Sequence, residues 1–179
     1  MNDFVAFDLE CSNLNGNFGR ILCGSFKPIG TGSVETYGAK IPLIGSRMAD
    51  DEKTILEIKK RLEDSWIWVS WNGKLFDIPF LNARLLIHGF KPVEKRLHID
   101  LMYYARGQFM KIHSSRLDAV AQTFKLKSQK TLLVPDTWVK ATLGDKDAMA
   151  YVVEHCEHDV CALDEIFPIL KPFIANIHK

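Results

Sequence analysis

The chain opens on FVAFDLE, in which large apolar residues recur at every second position, the period of a half-buried strand. The alternation predicts a first strand over residues 3–9, and a polar turn containing Asn-Gly follows over residues 12–19. RILCGSFKP predicts a second strand over residues 20–28, and residues 33–40 read as a third. Such short connections favour an antiparallel meander. The spacing then changes. In DDEKTILEIKKRLED, Ile55, Ile58 and Leu62 recur at helical intervals behind an acidic start, which predicts an amphipathic helix over residues 50–64.

WIWVSW, residues 66–71, is a dense aromatic and β-branched run and predicts a buried strand that ends at Asn72-Gly73. A helix is expected over residues 76–88, closed by Gly89, with Pro79 early enough that its missing N–H is tolerated. HIDLMYY predicts a fifth strand over residues 98–104. Ser114-Ser115 caps a helix through residue 124, and a long helix runs from Asp145 to about Leu170. The order predicts an α/β fold, a mixed five-stranded sheet flanked by helices, its first three strands antiparallel and the later ones parallel. At 179 residues, one domain over residues 1–179 is expected.

Charge and cysteine content narrow the class. Lys and Arg number 23 against 22 Asp and Glu, a net +1, which argues against coating long nucleic acid but allows a grip on a chain end. Two basic clusters, Lys91/Lys95/Arg96 and Lys125/Lys127/Lys130, read as solvated faces. Cys11, Cys23, Cys156 and Cys161 form no CxxC pair, which fits a reducing, cytoplasmic setting. Cys11 and Cys23 read as small core fillers. No signal peptide and no run long enough for a membrane span is visible, so no membrane partner is expected.

The carboxylates carry the chemistry. Asp8 and Glu10, two apart on a strand, share a face at its C-terminal edge, where open α/β sheets bind ligands. Asp77 falls in the first turn of its helix, flanked by Phe76 and Phe80, whose rings offer faces for a base. His155 and Asp159, four apart in YVVEHCEHDV, share a helix face, with Val152, Val160 and Leu163 toward the sheet and Glu157 and His158 toward solvent. Clustered carboxylates without a counter-charge are destabilising, and hard Mg²⁺ or Mn²⁺ ions relieve them better than Zn²⁺. Two such cations roughly 3.5–4 Å apart are standard apparatus for in-line attack on a phosphodiester.

FDLE, NGKLFD and HCEHDV, in this order, make the chain resemble the DEDD superfamily of 3′–5′ exonucleases, which have a ribonuclease H-like fold. DLECSNLNGNFGRILC, HIDLM and SSRLDAVAQTFKL extend the likeness over nearly the whole length. It looks most similar to the exonuclease domains related to family B DNA polymerases and to stand-alone exonucleases of that kind. The resemblance implies Asp8 bridging both metals, Glu10 and Asp159 on the nucleophile-side ion, and Asp77 on the other. It implies that His155 orients or deprotonates the water, backbone N–H groups of Cys11, Ser12 and Asn13 receive the terminal nucleotide, Asn72 contacts the strand or fixes the Asp77 loop, and Phe76 stacks on a base. The implied substrate is a nucleic-acid 3′ end, single-stranded, with DNA favoured over RNA; no feature points to a protein partner. The family's tyrosine stands four residues before its last acid, where this chain has His155; its histidine subclass places the base five before, where this chain has Glu154. That departure motivates an alternative, a weak or inactive module that binds nucleic-acid ends or a partner protein. A zinc hydrolase built on His155, Cys156, His158 and Cys161 matches no familiar zinc spacing.

Overall fold

The structure, a computed structural model, describes residues 4–38, 51–106, 109–128 and 134–174. Lys130, the last two residues of the expected third strand and the first of the first helix lie outside the described residues. Five strands, β1 (Phe4–Cys11), β2 (Ile21–Pro28), β3 (Glu35–Gly38), β4 (Ile67–Ser70) and β5 (Leu97–Asp100), form one sheet in the order β3-β2-β1-β4-β5. β1 pairs antiparallel with β2 and parallel with β4, and β4 pairs parallel with β5. The parallel pairs follow the crossover helices α1 (Glu52–Glu63) and α2 (Asp77–Ile87), as such pairs require. The sheet is the mixed one expected from the order of apolar periods.

Because β1 lies in the centre, both of its faces are covered. Val5, Phe7 and Leu9 join Ile55, Ile58 and Leu62 of α1 and Leu81 and Leu85 of α2 in one core cluster. Ala6, one step along the pleat, joins the cluster beneath α6 (Lys146–Leu170), with Val160, Leu163 and Ile166. The strand period therefore turns Asp8 and Glu10 toward α6 as well. Leu163 and Ile166 are fully buried, and truncating either to Ala is expected to cost about 2–5 kcal/mol. The start of α6 is set by Asp145, whose Oδ1 accepts from the Ala148 N–H at 2.8 Å, a cap worth about 1 kcal/mol.

Three elements differ from expectation. The fifth strand stops at Asp100, and residues Leu101–Tyr104 form a helical turn, α3. Asp100 causes the switch: its carboxylate accepts from the Met102 N–H at 3.2 Å and caps the turn. The helix after Ser114-Ser115 begins only at Leu117 (α4, Leu117–Thr123), with Arg116 at the cap position. Helix α5, Pro135–Thr142, was not anticipated; Pro at its first position is the signal that marks it. Glu157 is half-buried rather than solvated, accepting from Thr36 Oγ1 at 2.7 Å, and His158 is half-buried too.

The loop between β4 and α2 positions the site. Asn72 adopts a positive φ of 66°. Its N–H donates to Asp100 Oδ1 at 2.9 Å and that of Lys74 to Oδ2 at 3.3 Å. Gly73 is required by contact: a Cβ there would stand 2.7 Å from Ser70 Cβ and 3.3 Å from the Phe7 ring.

Candidate active site

Three of the four expected acids meet. Asp8 in the second half of β1, Asp77 at the first position of α2 and Asp159 on α6 line one cleft of ≈ 330 Å³. Asn72 and Phe76 line it too, so the loop and the aromatic ring both reach the carboxylates. Phe80 does not; it is 4% exposed and packs into the core behind Phe76, ring centres 5.7 Å apart. The opposite wall comes from Ser115, Arg116 and Asp118, and Trp71 Nε1 pins that segment by donating to the Ser115 carbonyl at 3.1 Å.

Asp77 is under electrostatic conflict. Its side chain is buried, and Oδ1 accepts from the Leu9 N–H at 3.0 Å. Burial, opposed by hydrogen bonds from Leu9 and its own N–H and reinforced by the charges of Asp100 and Asp159, pushes its pKa up to about 7. Burial is the main cause; the neighbouring charges of Asp100 and Asp159 add to it, and that part a nearby cation would offset.

Glu10 is close by but does not line the cleft. Its Oε2 accepts from Trp138 Nε1 at 2.8 Å, and its Oε1 lies 3.8 Å from His155 Nε2. Trp138, on α5, sets its ring edge-on to His155 at 5.1 Å, with 89° between planes. His155 is 1% exposed. Neither α5 nor Trp138 figured in the sequence reading; the Pro-Asp-Thr-Trp start of a helix was the available signal. Cys156, also buried, donates its thiol to the Asp8 carbonyl at 3.3 Å and approaches Asp8 Oδ2 at 3.5 Å. Burial pushes that thiol well above its ordinary value, so it stays a neutral donor beneath Asp8.

The first-hairpin residues lie outside the cleft lining. The Ser12 N–H is committed to the Arg20 carbonyl at 3.0 Å, and Ser12 Oγ accepts from the Arg20 N–H at 3.0 Å. Asn13 Oδ1 accepts from the Asn15 N–H at 3.1 Å. Cys11 pairs with Ile21 across the hairpin, and none of the three lines the cleft, whose β1 wall is Asp8 and Leu9. The hairpin's own hydrogen bonds consume the Ser12 donor that the resemblance implied for substrate.

The donor set fits a hard divalent cation, since four carboxylates, those of Asp8, Asp77, Asp118 and Asp159, line one cleft. Among the described residues, no group of three or more His, Cys, Asp or Glu side chains stands ready to hold a metal ion as placed. The fit is one of donor chemistry and common cleft, with side-chain adjustment needed to close a coordination shell. The same finding applies to the His155, Cys156, His158 and Cys161 set, which forms no zinc cage.

Acids gathered at the C-terminal edge of a central strand, on a mixed sheet with helices on both faces, define a ribonuclease H-like α/β protein. The family model of the RNase_H superfamily matches residues 5–170, and the chain belongs to that superfamily. It is 30% identical, over 97% of its length, to a DNA polymerase III PolC-type of Ureaplasma parvum serovar 3, of which it covers 12%. The fold is also similar to that of the family B DNA polymerase from the archaeon Pyrobaculum calidifontis, with a TM-score of 0.73 at 21% identity over 96% of this chain and 25% of the polymerase. The chain thus spans a small part of both polymerases. No described helix is long and apolar enough to cross a membrane.

Proposed function

We propose that residues 1–179 form a metal-dependent 3′–5′ exonuclease domain that removes nucleoside monophosphates from a nucleic-acid 3′ end. The observation that carries this reading is the convergence of Asp8, Asp77 and Asp159 on one cleft from three separate elements. Asp8, Glu10, Asp77 and Asp159 would hold two Mg²⁺ or Mn²⁺ ions. Bound there, such ions supply an activated water and charge neutralisation at the leaving oxygen. Asn72 and Phe76 orient the terminal nucleotide, the ring offering a face for its base. In this reading His155, buried 3.8 Å from Glu10 behind the cleft wall, would take the proton from the attacking water once Glu10 turns toward the metal. The water oxygen bonds to the terminal phosphorus, the bond to O3′ of the preceding nucleotide breaks, and that oxygen leaves with a proton. Likeness to the DNA polymerase III PolC-type supports DNA as the substrate.

One observation favours a second reading, a binding module without turnover. Glu10 is held by Trp138 outside the cleft, which leaves three of the four expected acids lining it. Incubation of 5′-labelled DNA and RNA oligonucleotides with Mg²⁺, Mn²⁺ or EDTA separates the two. The exonuclease reading expects stepwise shortening from the 3′ end that stops with EDTA and in Asp8→Ala. Intact oligonucleotides under every metal condition would support the module instead.

A further inference from the structure

A second cavity, of ≈ 380 Å³, adjoins the carboxylate cleft and has a different chemistry. Lys74, Leu75, Tyr103 and Arg106 line it, and Met102 forms part of the wall of both. Its two basic side chains sit beside an acidic cleft on a chain whose net charge is only +1. Tyr103 is 52% exposed, yet its ring is braced edge-on by Tyr104 at 5.3 Å and by Phe109 at 5.7 Å. Leu75, at 71% exposure, adds an apolar surface. Arg106 Nη2 lies 3.8 Å from Met102 Sδ, so the guanidinium stands at the boundary between the two cavities. Asp100 also lines this cavity, but its oxygens accept from the N–H groups of Asn72, Lys74 and Met102 and are engaged in shaping the loop.

We propose that this groove is the track for the single strand immediately upstream of the terminal nucleotide, with a base stacked on Tyr103 and phosphates against Lys74 and Arg106. The inference rests on the phosphodiesterase reading of the adjoining cleft. The carboxylate cleft sets four acids against one basic side chain, Arg116, so a strand that feeds it gains from further positive charge next door, and this cavity supplies it with Lys74 and Arg106. A braced, half-open aromatic ring can stack any unpaired base without reading its edge, which suits a strand that changes sequence as it is shortened. A paired base has no open face to offer, so the groove selects single strands.

Two assays on the whole chain separate the groove from the chemistry. One is equilibrium binding of labelled hexathymidylate in EDTA; the other is hydrolysis of the p-nitrophenyl ester of thymidine 5′-monophosphate, too short to enter the groove. Tyr103→Ala is expected to weaken hexathymidylate binding on the order of tenfold, while Tyr103→Phe binds as the wild type does. Arg106→Gln should flatten the dependence of log K on log salt by about 0.7, the share of one single-strand phosphate. Both Tyr103→Ala and Arg106→Gln should hydrolyse the ester at the wild-type rate and melt at the wild-type temperature. Unchanged hexathymidylate binding in both variants would overturn the proposal and leave the groove to a protein partner; loss of ester hydrolysis in step with binding would overturn it as well. A wild-type protein that hydrolyses neither substrate refutes the exonuclease reading, and the groove then stands or falls on the EDTA binding alone.

Discussion

Acidification below about pH 6.5 should destabilise this protein through His98. The His98 ring is 6% exposed, packed between Phe7 at 5.6 Å and Trp68 at 5.5 Å, with Nε2 at 2.7 Å from Ser70 Oγ. Burial, reinforced by the positive charge of Lys74, takes its pKa from 6.5 down to about 3. The folded protein therefore keeps His98 neutral while the unfolded chain takes up a proton below 6.5. Stability from this site is complete above the unfolded value and falls with pH until the folded value is reached. Each pH unit in that window is worth about 1.4 kcal/mol, so going from about pH 7 to about pH 5 should cost about 2 kcal/mol, or about 4–8 °C in melting temperature. Asp77, pushed up to about 7, acts the other way: its folded carboxyl gains a proton before the unfolded one does, and acidification relieves it. The raw slope is a sum of both, so the decisive quantity is a difference. Urea unfolding followed by tryptophan fluorescence at both pH values, in the wild type and in His98→Phe, isolates it. The variant should lose about 2 kcal/mol less on acidification than the wild type. Equal losses in the two proteins would show that His98 is not held neutral and would refute the reasoning.

Asp77→Asn should make the metal-free protein more stable at mildly alkaline pH, because it removes a buried charge while the amide oxygen keeps the Leu9 N–H; calorimetry in EDTA should show this rise, and the stabilisation by Mg²⁺ expected of the wild type should vanish. Trp138→Phe removes the donor to Glu10 Oε2, at a stability cost of about 1 kcal/mol, and should abolish the Mg²⁺-dependent change in tryptophan fluorescence expected of the wild type. Asp51→Ala should cost about 3–5 kcal/mol, since the buried Asp51 carboxylate accepts from the Arg84 guanidinium and from the Ile21 N–H, and truncation strands the arginine; chemical denaturation measures it.

Much of the architecture was legible because the apolar periods are strong. FVAFDLE alternates cleanly and became β1, and the helical interval of Ile55, Ile58 and Leu62 became the buried face of α1. The fifth strand was overrun because the LMYY that follows Asp100 is a short apolar run, which suits a buried strand and a buried helical turn equally. The side-chain cap from Asp100 decided between them, and that bond depends on the chain direction at the end of β5. At the site, the period-two rule placed Asp8 and Glu10 on the α6 side of β1, while which of them would face the cleft was invisible. That depended on Trp138, 128 residues away, which holds Glu10 aside.

The sequence by itself determined most of the elements, the mixed sheet they permit and the residue types able to bind a hard cation, because periodicity and donor chemistry are local properties. Tertiary structure alone decided that Asp77 is squeezed up to about 7, that the Ser12 N–H is consumed within its hairpin, and that a basic, aromatic groove adjoins the acidic cleft at Met102. Each of these depends on desolvation or on contact between segments distant in the chain, and neither is encoded in any short stretch of it.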